Sequence, residues 1–466
     1  AIGAPGSISG AKREIDASGK HILPGIVDPH AHMGYENTFD NLASESRAAA
    51  CGGVTTLGIY VLVVKDGIIK QFDGLKEQFD KESFVDAFWH LMVIDAATTN
   101  DIQSCPEEIG ITSFKFNMGY KGPHADLLGI TATDDGAVFK GFSMIAKQDG
   151  NSLAACHCEN IDIHLMLRDE FIAQGRNDYK VWNESRPSFV EAECMHRAIY
   201  LAKNTNCPLY IPHITIAEGV DIIEQAHKEG LRVTGETCPQ YLTHNNEEGA
   251  PIFESNPACG NVNPPIRDKA SNDRLWEGIR DGIIECVGSD LAPCNLEMKG
   301  DNIWEAPMGL GNISELLLPI MLSEGVNKGR IPIETVVKVC CKNPAEVFSV
   351  YPQKGSLEEG SDADIVIVDL EKEQTVTAYK LKAAIDLSIY DGWNLKGWPT
   401  HTILGGEVIV EDGEPVEFDA EQVSRSMREN RQLNIQLSLG AGDSTSCYWA
   451  SDLTCDYVTF NADYHT

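Results

Sequence analysis

ITSFKFNMGYKG, residues 111–122, sets Lys115 between Phe114 and Phe116 at the end of a run that reads as a buried β-strand. A cation there loses hydration that an apolar neighbourhood does not return, so packing alone does not account for it. The lysine is expected to serve chemistry.

Working outward, the same pattern recurs along the chain. GGVTTLGIYV, VDAFWHLMVI, SLAACH, CPLYIPH, LRVTGET and GIIECVGSD are apolar runs that close on polar residues, with helical patterns between them. Repeated β and α units from residue 26 to about residue 350 predict a parallel sheet clad in helices. Counting the strand that carries VDPHAHMG and a weak one near residues 259–263, about eight units can be placed, the number that closes a (β/α)8 barrel of the TIM type. An open doubly wound sheet is the competing architecture, and no GxGxxG follows the first strand to support it.

Beyond residue 350 the texture changes. GSDADIVIVDLE and HTILGGEVIVEDGEPV are short alternating strands broken by Gly and Asp turns, and the opening of the chain reads the same way. The expected organisation is one part of a small β-sandwich over residues 1–22, a hydrolase barrel over 23–350, the other part of the sandwich over 351–417, and an extension over 418–466. That extension has a helical stretch, AEQVSRSMRENRQ, and an aromatic-rich end, SCYWASDLTCDYVTFNADYHT, expected to pack at a contact between subunits. The chain opens on Ala1 without a methionine, and residues upstream of it are expected to be missing.

Charge narrows the function. The 466 residues include 70 acidic and 37 basic ones, net −33, so the surface repels phosphate backbones and anionic membranes. Nucleic-acid and membrane partners are thereby disfavoured, while the chemistry is left open. Fourteen cysteines are scattered without a CxxC pair or a secretory leader, the pattern of reduced thiols in a cytoplasmic protein. No uninterrupted apolar run approaches the length that crosses a bilayer.

The polar residues at the strand ends are chemically matched. In VDPHAHMG, His30 and His32 are two apart and point the same way from an extended strand, so they can share one metal. His157 closes SLAACH, His213 closes CPLYIPH and Asp290 closes IIECVGSD. All strand C-termini of a closed barrel meet on one face, so these five would converge with Lys115. Four imidazoles and a carboxylate are nearly enough donors for two divalent ions and lack only a bridge. Burial frees the neutral amine of Lys115, which can add carbon dioxide to give a carbamate, an anion able to touch both ions.

VDPHAHMG, SFKFNMGYKG, HCEN, PHIT, GETCPQYL and NPPIR, continued by KGSLEEGSDADIVIVD and YDGWNLKGWP, closely resemble the cyclic amidohydrolases, specifically their dihydropyrimidinase and hydantoinase branch. The resemblance spans nearly the whole chain. It implies a barrel flanked by a composite β-sandwich, a homotetramer, and two metal ions, usually zinc, bridged by a carboxylated lysine and a hydroxide. One ion would sit on His30, His32 and Asp290, the other on His157 and His213, with Lys115 bridging both. Tyr120 matches a tyrosine that helps hold the developing oxyanion, and Asp290 would pass the hydroxide proton to the leaving nitrogen. The implied reaction opens a hydantoin, dihydropyrimidine or related imide or lactam to one open-chain carboxylate.

The chain departs from this pattern around the substrate. Asn263 precedes Pro264 and Pro265 where relatives usually show serine, and Met308 stands in APMG where they carry asparagine. Both positions normally meet the ring's amide edge. Leu291 follows Asp290 where a histidine is common, and the loop MGYENTFDNLASES is shorter than in many relatives. A reshaped pocket lined by Tyr120, Asn263 and Met308 is expected over unchanged metal chemistry. The competing functions are an atypical ring outside the ureides, allantoinase or dihydroorotase activity, and a non-catalytic adaptor that has lost its metal ligands. All six ligand positions are filled here, which argues against the adaptor.

Overall fold

Eight parallel strands carry the centre of the molecule, each an apolar run bounded by turns. In chain order they are β1 (Ile26–Ala31), β2 (Val54–Val61), β3 (Asp86–Val93), β4 (Ser113–Asn117), β5 (Leu153–His157), β6 (Leu209–Ile211), β7 (Val233–Thr237) and β8 (Cys286–Val287). The computed structural model describes residues 2–3, 13–33, 42–62, 67–121, 125, 134–148, 151–416, 435–441 and 444–450. Every residue of β1, β2, β4 and β5 is buried, as a parallel sheet covered on both faces requires. Each strand pairs in parallel with its sequence neighbour from β1 to β8. The ring closes at its C-terminal rim, where His32 N donates to Leu291 O at 2.6 Å and Leu291 N donates to His30 O at 3.2 Å.

The weak strand expected near residues 259–263 is not part of the barrel. Pro257–Gly260 is a 3-10 turn whose Ala258 N donates to the Asn256 side chain, and Pro264 and Pro265 follow three residues later. Prolines at both ends remove the donors a ladder strand needs.

Two further sheets lie beside the barrel, one antiparallel and one mixed, and both chain ends build them. One joins His21–Pro24 to Ile365–Thr375, Asn394–Leu404, Glu407–Glu411 and Glu414–Pro415. The other joins Ile2–Gly3 and Arg13–Asp16 to Ile435–Ala441 and Ser444–Ala450. Ile15, Ala17, Ile365, Ile367 and Ile403 form the small core between them. The fold is thus the expected α/β barrel with a composite β-sandwich. The helical pattern at residues 420–432 lies outside the described residues, as do residues 451–466.

Among the described residues no helix is long and apolar enough to cross a membrane. Each described cysteine side chain is a buried free thiol.

Candidate active site

Parallel pairing sets the depth of each side chain. The register places Lys115 opposite Ala155 and Asn117 opposite His157, so the strand ends deliver their polar residues to one rim. His30 is fully buried, His32 and Asp290 reach partway to solvent, and Lys115, His157 and His213 are buried. His213 and Asp290 adopt φ of 44° and 54°, a left-handed backbone that costs non-glycine residues energy and is retained here at the rim where the polar side chains meet.

Two groups of donor atoms result. His30 Nε2 lies 3.2 Å from His32 Nε2 and 3.1 Å from Asp290 Oδ1, and His32 Nε2 is 3.4 Å from the same oxygen. These three side chains form a group with metal-ligand spacing. His157 Nδ1 and His213 Nε2 face each other at 3.0 Å. The His30 and His213 rings are 5.4 Å apart, which sets the two groups side by side. All five residues converge as the strand ends predict. Lys115 Nζ stands 4.8 Å from the centroid of the Tyr60 ring, and among the described residues no carboxylate lies within ion-pair distance of it.

Electrostatics favour deprotonated donors. Burial, then the Lys115 cation, hold the His30 and His213 imidazoles well below their ordinary range, although Asp290 opposes this at His30. Burial likewise lowers the Lys115 ammonium, against the pull of Asp290. Burial alone would raise Asp290, yet His30 and His32 together keep its carboxyl below the usual range. Burial that disfavours the imidazolium at His30 and His213 and the ammonium at Lys115, with Asp290 held toward its carboxylate, suits the binding of a divalent cation, so the residues present fit metal.

Two carboxylates that the sequence reading passed over orient these donors. Glu236, at 0% exposure, accepts from His30 Nδ1 at 2.8 Å and from His213 N at 3.0 Å through Oε1, while Tyr210 donates to its Oε2 at 2.6 Å. With Nδ1–H committed to Glu236, the His30 Nε2 lone pair points inward. Glu159 lies 2.7 Å from His157 Nε2, which leaves Nδ1 for the site. Arg186 pairs with Glu159 at 3.3 Å and stacks on Trp182 at 3.8 Å. Glycine is required beside both: a Cβ on Gly288 would sit 2.8 Å from Glu236 Oε2, and one on Gly119 would sit 2.6 Å from the His157 ring. The only sequence signal was a glutamate inside GETC and HCEN, in or beside strands that end in ligands.

Tyr120 presents its ring edge to His157 at 5.4 Å, and burial, then Asp290, raise its phenol so that it stays a donor. Asn263 is 6% exposed, and its side chain adjoins the Tyr120 hydroxyl. Met308 is half-buried against the Val181, Trp182 and Ile303 cluster.

The family described as Amidohydrolase family matches residues 154–409. A second, described as ArgJ family, matches residues 393–466. The chain is 34% identical over 425 residues to a D-hydantoinase from Ralstonia pickettii, covering 88% of this chain and 89% of that one. It is also 34% identical to an L-hydantoinase from Paenarthrobacter aurescens, with 89% of each chain covered. The solved L-hydantoinase (dihydropyrimidinase) from Arthrobacter aurescens superposes with a TM-score of 0.82 at 32% identity, over 90% of this chain and 92% of the other. Likeness of this extent in sequence and fold, over a site whose donors suit divalent ions, settles the family. The chain belongs to the amidohydrolase family, in the branch of the hydantoinases and dihydropyrimidinases, and is a metal-dependent enzyme of that branch.

Proposed function

We propose that this protein hydrolyses the C–N bond of a cyclic amide, a hydantoin, dihydropyrimidine or related imide or lactam, through a pair of metal ions. The observation that carries the reading is the convergence of two donor groups, His30, His32 and Asp290 within 3.1–3.4 Å and His157 with His213 at 3.0 Å, beside the buried amine of Lys115. Two divalent ions held there, zinc suiting these nitrogen and oxygen donors, supply Lewis acidity toward the scissile carbonyl and a water acidic enough to react near neutral pH.

The chain's own residues do the rest. Lys115, whose ammonium form is disfavoured by burial, would take up carbon dioxide as a carbamate with release of one proton, which would turn an amine into an anionic metal ligand. Tyr120 donates its phenol hydrogen to the carbonyl oxygen as charge develops there. Asp290 Oδ1 takes the proton released by the attacking water and delivers it to the ring nitrogen as the C–N bond breaks. Water is consumed, and the ring opens to a single carboxylate that keeps its nitrogen.

Substrate choice rests on Tyr120, Asn263 and Met308. A thioether offers no partner to a second ring carbonyl or N–H, and an unpaired polar atom costs about 1–3 kcal/mol. Plain dihydrouracil and hydantoin should therefore turn over weakly, and rings with an apolar substituent or one amide edge should do better. The test is a panel of cyclic ureides, imides and lactams assayed with wild type and with Asn263→Ser combined with Met308→Asn. The double change should raise activity on dihydrouracil by ten-fold or more, on the order that one restored contact supplies. Full efficiency of wild type on dihydrouracil with no gain from the double change would overturn the pocket reading, and no turnover of any ring would overturn the hydrolase reading.

The same reading takes residues 1–22 and 351–417 as one sandwich, 23–350 as the barrel and 418–466 as an extension that serves a subunit contact beyond its two strands Ile435–Ala441 and Ser444–Ala450, which pair with the chain's own first strands. It takes the assembly as a homotetramer in the cytoplasm, a compartment supported by the free thiols among the described residues.

A further inference from the structure

Lys299 ends the short helix Leu296–Lys299 and is 1% exposed. Its ammonium donates to two main-chain carbonyls, Asn261 O and Pro307 O, each at 2.8 Å, and among the described residues no carboxylate lies within ion-pair distance. The buried Asn261 completes the junction. Its Nδ2 donates to Ile303 O and to Ala306 O, both at 2.9 Å, and its carbonyl also accepts from Gly309 N at 3.4 Å. Ala292 N donates to Leu310 O at 3.0 Å, which ties the same segment to the strand end that carries Asp290. One side of this junction leads to Asn263 and the other carries Met308.

A buried ammonium with two neutral acceptors is an expensive way to fill this space. Desolvation pulls Lys299 down to about 8, opposed by the facing thiols of Cys294 and Cys259. Unfolded lysine titrates near 10.4, so the native state binds this proton less tightly than the unfolded chain, and at neutral pH the charge works against folding. A methionine of similar reach would avoid that cost. A residue that opposes stability where two ring-facing segments meet has the signature of function rather than packing.

We propose that Lys299 is a positioning residue for the substrate: its charge-assisted bonds hold residues 261–263 and 303–308 at the spacing that ring recognition needs. The inference rests on the reading of the site as a ring hydrolase. It places Lys299 in substrate binding and outside the metal chemistry. Above pH 8 the lost charge weakens both bonds, and the two segments loosen together.

The test is Lys299→Met, assayed on hydantoin and dihydrouracil as probes. KM should rise about 10–100-fold with kcat within about three-fold, with metal content unchanged and Tm equal or higher. Amide hydrogen exchange of residues 303–309 should quicken about ten-fold or more at pH 7 while the barrel strands keep their protection. That second readout decides the matter even if neither probe is turned over, so failure of the hydrolase reading and failure of this one are distinct. Should the variant not fold, the wild type answers: exchange in 303–309, corrected for its intrinsic pH dependence, should accelerate as pH passes 8. An unchanged KM with unchanged exchange, equal losses of kcat and metal, or a wild-type segment indifferent to pH 8 would overturn the proposal.

Discussion

One carboxylate has two assignments at the rim of this barrel. Asp290 Oδ1 lies 3.1 Å from His30 Nε2, where it would serve as a metal ligand, and the proposed reaction also needs it to carry a proton. Asp290→Asn keeps the shape and one donor lone pair but cannot accept that proton, so turnover should fall by about a thousand-fold or more while Tm moves little. Steady-state rates of the variant near those of wild type would refute the proton path. Tyr120→Phe should lose about a hundred-fold, the scale of one oxyanion donor. The convergence of His30, His32, His157, His213 and Asp290 was legible in sequence because these residues lie where apolar runs end, and closure of a barrel gathers strand ends. Lys115 stood out for a different reason, since a cation between Phe114 and Phe116 has no cheap structural purpose. Glu236 was not legible as an orienting group: its partner His30 is 206 positions away, and no spacing rule reaches that far.

At the scale of elements, the apolar runs named all eight barrel strands because burial on both faces leaves an uninterrupted signal. The exception was 259–263, where a brief apolar texture concealed the veto of Pro257, Pro264 and Pro265 on a hydrogen-bonded ladder. Helix packing holds another property that sequence could not show. Leu42–Cys51 and Ile313–Ile320 bury Glu45 and Glu315, at 1% and 5% exposure, with Lys382 N donating to Glu315 at 2.7 Å. Burial pushes both carboxyls up to about 8. An acid whose folded pKa lies above its unfolded value near 4.5 stabilises the native state fully below that value, and the contribution is lost as pH rises through about 8. Stability should therefore decline between about pH 5 and 8 by a few kcal/mol from these groups, opposing the usual gain from ionised surface pairs. Denaturant titrations of Glu315→Gln should show a flatter pH dependence than wild type across that interval, and an identical slope would contradict the assignment.

At the scale of the molecule, one buried cation helps to link the barrel and the sandwich. Lys354 pairs with Asp86 of β3, with Asp362 at 2.9 Å and with Asp364 at 2.8 Å, beside the strand that joins the two chain ends in one sheet. That the ends share a sandwich was legible from their common alternation; which strands pair was not, because register over more than 300 residues leaves no local mark. Exposed apolar side chains gather on neighbouring barrel helices: Phe139 on Asp135–Ile145, Met166 and Ile172 on Ile161–Ala173, and Phe189 and Tyr200 on Ser188–Thr205. Such a surface is expected to be covered by another copy. Sedimentation at micromolar concentration should give a particle of four chains, and a monomer there would remove the tetramer. The account as a whole depends on two ions and a modified lysine. Anomalous scattering at the zinc edge, from crystals of enzyme prepared with zinc and bicarbonate, addresses all three at once. The account predicts two peaks per chain, one on His30, His32 and Asp290 and one on His157 and His213, with density for a carboxylate extending from Lys115 Nζ between them; a single peak, or a bare Lys115 ammonium, would contradict it.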